Sequence, residues 1–486
     1  MSPPAHEKRD FAHFLRKDEK ESMVFSSIFF LFVYLPIVLA LYYVVPRRFK
    51  NLLLFVCSLI FYAWGEPVYI LVMLFTAFID YFNGAMVDRF RDRPAIAKAF
   101  VFESVIVNLS LLGFFKYSGL LVSTFNSATG LSVPVPEVTL PIGISFYTFQ
   151  SMSYTIDIYR NRAPRQHHIV DYGTYVSFFP YLVAGPIVRY EVLALQVMNR
   201  QETLEKFTQG AQRFLVGLFK KVILANNVAA LADKVQFYGD PSTLSAWLGI
   251  LAFTFQIYFD FSGYSDMAIG LGKMFGFSLP ENFNLPYISH SVREFWTRWH
   301  MTLGTWFKEY VYFPLGGSRR GTLITVRNMA IVWTLTGVWH GASWNYAMWG
   351  AYFGVLIICE KLFLGKWLEK WPRFLSWLYS FLAVVIGWVF FSYTDITKAF
   401  SVLGAMFGVG APLYDDMGLY NLLTFLPMLL LAAFCSTPYA GRITEKMRQG
   451  PLVTKVIWSA GVAVLFVACT AMLVDNSYNP FLYFQF

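Results

Sequence analysis

Two histidines, His300 and His340, have the means to do acid–base chemistry away from water in this chain. His340 lies in NMAIVWTLTGVWHGASWNYAMWGAYFGVLIIC (residues 328–359), which holds no formal charge between Arg327 and Glu360. At helical rise that run crosses a hydrocarbon core of about 30 Å with residues to spare. An imidazole at such depth is costly to desolvate, which makes it a functional hypothesis; the bland alternative is a ring satisfied by a backbone carbonyl at a helix end near Gly341. His300 lies in SVREFWTRWHMTLGTWFKEYVYF (residues 291–313). Each histidine follows a tryptophan, Trp299 or Trp339, and each has apolar surroundings. Read together, they point to one internal site where a neutral imidazole acts as general base on a hydroxyl. The matching electrophile would need shelter from water, which a passage at bilayer depth provides.

The elements that must position these rings are helices. Read as one helix at about 100° per residue, residues 291–313 place Trp296, Trp299, His300, Leu303, Phe307 and Tyr310 on one face. Glu294, Arg298, Met301, Thr305, Lys308 and Glu309 fall largely opposite, with Glu294 and Arg298 spaced to pair across one turn. The uncharged runs 26–45, 374–394, 418–441 and 456–474 are each close to one membrane span. Further apolar segments are expected at 51–64, 67–87, 99–117, 141–159, 214–235 and 246–276, with a surface loop over 118–140. Gly185-Pro186 within residues 172–188 suits a re-entrant hairpin buried against protein, and residues 191–212 read as an interfacial helix.

Composition agrees. The 486 residues are 56% hydrophobic and only 14% charged, against about 25% charged in an average soluble domain. The fold expected is an all-α polytopic integral membrane protein with roughly 10–12 transmembrane helices, plus re-entrant and interfacial helices, around a central tunnel. Residues 1–22 mix acids and bases and read as a charged, flexible extension; residues 23–486 read as a single transmembrane domain. The net charge of +9 is assigned to membrane-flanking loops against anionic lipid, not to nucleic acid. Basic loops near Arg47, Arg89 and Arg160 fall on one side if each intervening segment crosses once, which sets them in the cytoplasm. Cys57, Cys359, Cys435 and Cys469 have no metal spacing and are expected to pack; no metal site is expected. Asp260 and Asp266, in an apolar segment, are read as caps and hydrogen bonds at a broken helix in preference to a cation site.

Several motifs, specific only in combination, resemble the membrane-bound O-acyltransferase family, most of all its bacterial alginate-acetylating branch. They are FDFSGYSD (259–266), NFNLPY (282–287), EFWTRWH (294–300), FPLGG (313–317) and GVWHG (337–341), joined by GISFYTFQ (143–150) and AGP (184–186). MVFSS (23–27) looks like the start usual in that branch, which leaves residues 1–22 as a departure. The resemblance, which covers essentially residues 23–486, implies acyl transfer through a membrane-embedded tunnel, with the family's catalytic histidine at His340 and its upstream polar partner at His300. It implies acetyl-CoA as the donor substrate, no tightly bound cofactor, and an extracytoplasmic acetyltransferase partner that acetylates an exported polysaccharide such as alginate. The setting implied is the bacterial cytoplasmic (inner) membrane.

On that reading His340 removes the acceptor hydroxyl proton and returns it to the leaving thiolate. His300 positions acceptor or donor, or stabilises oxyanion charge. Trp296, Trp299 and Trp339 are expected to line the substrate path, and Arg293 and Arg298, with Lys308, Arg319 and Arg320, to meet coenzyme A phosphates or anchor at the membrane surface. Two other functions stay open: a D-alanyl or other acyl transferase fed by a carrier-protein thioester, and a transporter using the histidines as a proton relay.

Overall fold

The computed structural model describes residues 23–237, 239–475 and 482, and these are helices joined by short loops, without strands. In chain order the elements used below are α1 (Phe30–Val44), α2 (Lys50–Gly65), α3 (Ile70–Arg89), α4 (Pro94–Thr129), α5 (Ile144–Tyr159), α6 (Ile169–Ser177) and α7 (Tyr190–Met198). They continue as α8 (Leu204–Gln236), α9 (Thr243–Met274), α10 (Val292–Arg298), α11 (Met301–Phe307), α12 (Thr322–His340), α13 (Trp344–Leu368) and α14 (Arg373–Ser392). The last are α15 (Ile396–Met406), α16 (Asp416–Cys435), α17 (Pro438–Gln449) and α18 (Leu452–Asp475). Among the described residues, 8 helices are long and apolar enough to cross a membrane, by length and composition. Others, such as α2 and α5, are apolar but only 16 residues long. The protein is a multi-pass membrane protein. The charged extension expected at residues 1–22 lies outside the described residues.

Burial sorts the helices into a centre and a rim. The most apolar stretch of α9 is 83% buried inside the protein, whereas that of α18 is 6% buried and faces outward. Rim helices pack one stripe inward and leave leucine, valine and phenylalanine exposed, as lipid requires. At the centre α8 lies so close along α9 that no side chain fits at the glycines where the two backbones meet. A Cβ on Gly217 would stand 2.5 Å from the carbonyl oxygen of Gly263, and one on Gly210 2.5 Å from that of Gly270. Across the same seam a π-helical turn, Lys220–Ala225, delivers two consecutive lysines to different acids. Lys221 meets Asp260 at 2.6 Å and Lys220 meets Asp266 at 2.6 Å; Arg213 also holds Asp266, at 2.8 Å. The helix is unbroken here, so the two aspartates are neither caps at a break nor a cation site. They are ion-pair partners that lock α8 to α9.

The basic loops do gather on one side. Arg47 donates to the carbonyl of Arg200, Lys50 pairs with Glu202 at 3.2 Å, and Asn51 donates to Asp171. Arg162 pairs with Glu309 at 2.8 Å and Arg165 with Asp88 at 3.1 Å. At this face the Glu202 carboxyl would be pushed up by burial, yet hydrogen bonds from Tyr42 and Lys50 outweigh that and hold it below the usual carboxylate range.

Two expectations are corrected. The loop expected over 118–140 starts late, because α4 runs 36 residues and ends at Thr129, where Gly130 takes a left-handed conformation. Residues 291–313 do not form one helix; α10 stops at Arg298 and α11 starts at Met301. The stretch 172–188 is broken and deeply buried, with a short turn at Phe179–Leu182, and residues 191–212 divide between α7 and the start of α8.

Candidate functional site

The break between α10 and α11 is built around His300. Its backbone sits at φ 43° and ψ 51°, a left-handed geometry that a non-glycine residue adopts only when held there. Asn282 supplies the hold. Its backbone carbonyl accepts from Met301 N–H at 2.9 Å, and its Oδ1 accepts from the Thr302 hydroxyl at 2.8 Å and the Thr302 N–H at 3.3 Å. Its Nδ2 donates to Ser265 on α9 at 3.0 Å, which ties the break to the central helix. Because Thr302 N–H can only donate, the atom facing it is the amide oxygen. His300 Nδ1, 3.0 Å from the same oxygen, must therefore carry a hydrogen. In the neutral ring Nε2 then holds the lone pair.

α10 is oriented from outside itself. Its first turn presents the N–H groups of Val292 and Arg293 to the carboxylate of Glu360 on α13, at 2.7 and 2.8 Å, while Ser291 caps Glu294 N–H. An anion at a helix N-terminus is favoured by the exposed N–H groups and by the helix dipole. This fixes Trp296 and Trp299 against Trp388, with ring centres 6.5 and 4.9 Å away.

His340 is the last residue of α12, and Gly341 continues in an extended conformation. The uncharged run therefore breaks at the histidine and resumes as α13; the ring is both at a helix end and deep in the protein. Helix ends leave carbonyls without intrahelical donors. Here α4 supplies them. Lys116 Nζ donates to the carbonyls of Trp339 at 2.6 Å and His340 at 3.3 Å, and the Tyr117 hydroxyl donates to the carbonyl of Val338.

The two histidines converge. The ring of Trp339 lies 4.9 Å from that of His340 and 6.1 Å from that of His300. Both histidines are buried, at 4% and 2% exposure. Phe146 on α5 contacts both His300 and Trp339, at 6.5 and 5.5 Å, while Phe261 stands edge-on to His300 at 4.7 Å. Trp349 and Phe391 close the other side of His340, at 4.8 and 5.4 Å.

Of the other expected residues, Trp339 is within the site and Trp296 borders it through Trp349, 5.4 Å away. Trp299 packs on Phe283 and Trp388 and is part of the wall behind. Arg293 is exposed, and Arg298 is spent on Glu294 at 2.9 Å and on the carbonyl of Asn284. Neither arginine contacts an imidazole among the described contacts. Sequence reasoning missed the roles of Asn282, Lys116, Trp349 and Glu360. Lys116 carries a signal in the sequence, a basic residue embedded with Glu103 and Asn108 in the apolar segment 99–117. No group of three or more His, Cys, Asp or Glu that could hold a metal occurs among the described residues. The constellation is a pair of imidazoles in a dry aromatic cage, suited to moving a proton between a hydroxyl and a leaving group.

Comparison with known proteins agrees with that chemistry. A probable alginate O-acetylase of Pseudomonas putida is 42% identical over 96% of this chain and 100% of its own length, and one of Pseudomonas aeruginosa is 39% identical with the same coverage. A peptidoglycan O-acetyltransferase of Helicobacter pylori is 34% identical over 80% of each chain. A teichoic acid D-alanyltransferase of Bacillus subtilis is 28% identical over 51% of this chain and 66% of its own. Residues 137–403, which include both histidines, match the family description of membrane-bound O-acyltransferases, and the chain belongs to that family.

Proposed function

We propose that this protein takes an acetyl group from acetyl-CoA on the cytoplasmic side of the bacterial inner membrane and passes it through the membrane for O-acetylation of an exported polysaccharide such as alginate. The observation that supports this most is the meeting of His300 and His340, from separate chain breaks, on the single ring of Trp339. His340 acts as general base on the acceptor hydroxyl and then as acid toward the leaving thiolate. His300, with Nε2 as acceptor, orients the hydroxyl. Lys116 acts through the backbone to hold the His340 ring in place, and Asn282 holds that of His300 through the backbone and directly at Nδ1. The final acceptor sugar is reached by a partner transferase outside the membrane, and membrane lipid surrounds the rim. No resident cofactor is needed for these steps.

A second reading keeps the same proton chemistry but draws the acyl group from a carrier-protein thioester, and the similarity to the teichoic acid D-alanyltransferase favours weighing it. Purified protein with its partner separates the two, given labelled acetyl-CoA in one arm and acyl-loaded carrier protein in the other. The His340→Ala variant is expected to insert and fold with acetylation of the exported polymer lost. Wild-type acetyl content in that variant overturns the proposal.

A further inference from the structure

The indole N–H of Trp349, whose ring packs on His340, and that of Trp296, next to Trp349, bond to nothing among the described residues. Trp349 on α13 is fully buried, with its ring 4.8 Å from the His340 imidazole at an interplanar angle of 79°. Trp296 on α10 is next, its ring 5.4 Å from that of Trp349. Both Nε1 atoms are buried and have no hydrogen-bond partner there. Trp339 donates to the carbonyl of Ser145, Trp306 to that of Phe149 and Trp377 to that of Tyr287, whereas the Nε1 atoms of Trp388 and Trp458 likewise have no partner among the described residues. Leaving a buried donor unpaired is costly, and tryptophan N–H groups in protein interiors are usually satisfied. Of these four indoles, Trp349 packs its ring on that of the proposed general base, and with Trp296 next to it the pair argues for an acceptor that arrives and departs.

We infer that Trp349 and Trp296 receive the carbonyl oxygens of a pantetheine thioester. Trp349 N–H takes the acyl oxygen and Trp296 N–H takes the first amide carbonyl of the arm. This rests on the acyl-transfer reading above and deepens it. Within such an arm the acyl carbon and the first amide carbonyl carbon are five bonds apart, about 6 Å when extended. The centres of the two rings are 5.4 Å apart, a separation of the same order. Arg293, one helical turn before Trp296, is exposed.

The acceptor oxygen bonds to the acyl carbon while His340 takes the hydroxyl proton, and the carbonyl electron pair moves onto oxygen. The resulting alkoxide is stabilised by Trp349 N–H, whose bond strengthens as charge develops. Collapse restores the carbonyl and breaks the carbon–sulfur bond, and the thiolate leaves with the proton from His340. Coenzyme A and a carrier-protein prosthetic arm share this chemistry, so the assay must separate them.

The test uses the full-length protein in nanodiscs with its partner and acceptor, following thiol release from acetyl-CoA in one arm and from acetyl-loaded carrier protein in the other. Trp349→Phe is expected to lower kcat by about 100-fold or more, with KM for the donor changed less than about threefold. Trp296→Phe is expected to raise KM about tenfold and spare kcat, as loss of uniform binding does. Trp333→Phe, in the same aromatic cluster, controls for packing; it is expected to lower the melting midpoint as much as Trp296→Phe does while keeping both constants. A Trp349→Phe variant that turns over within about threefold of wild type overturns the indole assignment. Should that variant fail to assemble, an unchanged KM in Trp296→Phe overturns it instead. Wild-type protein that cleaves neither thioester overturns the acyl-transfer reading, and this one with it.

Discussion

The Nζ of Lys116 sits 2.6 Å from the carbonyl oxygen of Trp339, across 223 residues of sequence, at the end of the helix that carries His340. The contact satisfies a helix-end carbonyl. With Tyr117 beside it, α4 clasps the last turn of α12. The position of the imidazole thus depends on a lysine that need not touch substrate.

Replacing that lysine tests the dependence. Lys116→Met keeps the length of the side chain and removes the donors, leaving buried carbonyls unsatisfied at a cost of about 1–3 kcal/mol. The expected result is a lower melting midpoint together with a fall in kcat of at least about tenfold, from displacement of His340. Lys116→Arg should recover stability better than Lys116→Met. A Lys116→Met protein with full kcat would show that the clasp has no part in placing the base.

His300 offers a sharper separation of backbone from side chain. Its left-handed conformation costs roughly 1–2 kcal/mol for most residues, while asparagine tolerates it well. His300→Asn is therefore expected to melt at or above the wild-type midpoint, and His300→Ala below it. Asparagine also keeps a polar group toward the acceptor, so transfer should fall less in His300→Asn than in His300→Ala. Equal activity in the two variants would remove any role for a polar group at this position.

How much of this could be read from the chain varies by residue. The helical membrane fold was legible because charge is scarce and apolar runs have the length of a bilayer. His300 and His340 were legible as ionisable groups in apolar surroundings. The break at His300 was not: residues 291–313 carry no glycine before Gly304 and no proline, and their apolar spacing suits a continuous helix. What ends that helix is Asn282, which intercepts Met301 N–H and Thr302 N–H from a loop before α10. A helical wheel has no term for that competition. Asp260 and Asp266 were misread for the same reason, since their lysine and arginine partners lie on another helix.

Acid sensitivity follows from Glu202, which α1 and α2 hold through Tyr42 and Lys50 at 2.6 and 3.2 Å. Its carboxyl is held below its ordinary value in the folded protein. A depressed carboxyl contributes stability above its unfolded pKa of about 4.3 and loses it as pH falls through the folded value. Between about pH 6 and about pH 3.5 the wild-type melting midpoint should drop more steeply than that of Glu202→Gln, and the two should approach each other at the acid end. Parallel curves would mean that Glu202 adds nothing.

The Lys221–Asp260 pair makes the strongest stability prediction. Both side chains are 3% exposed and 2.6 Å apart, on helices packed through glycines. Asp260 also accepts the backbone N–H of Leu482 at 2.8 Å. Removing one partner strands a charge in the protein interior, which costs about 3–5 kcal/mol; removing both can be close to neutral when apolar groups of similar size fill the space. Lys221→Met alone and Asp260→Leu alone are therefore expected to lose much of the folded yield and melting midpoint. The double variant Lys221→Met/Asp260→Leu should recover most of the loss, limited by the orphaned N–H of Leu482. A double variant as unstable as the sum of the singles would show that the two residues act independently, and that the pair does not lock α8 to α9.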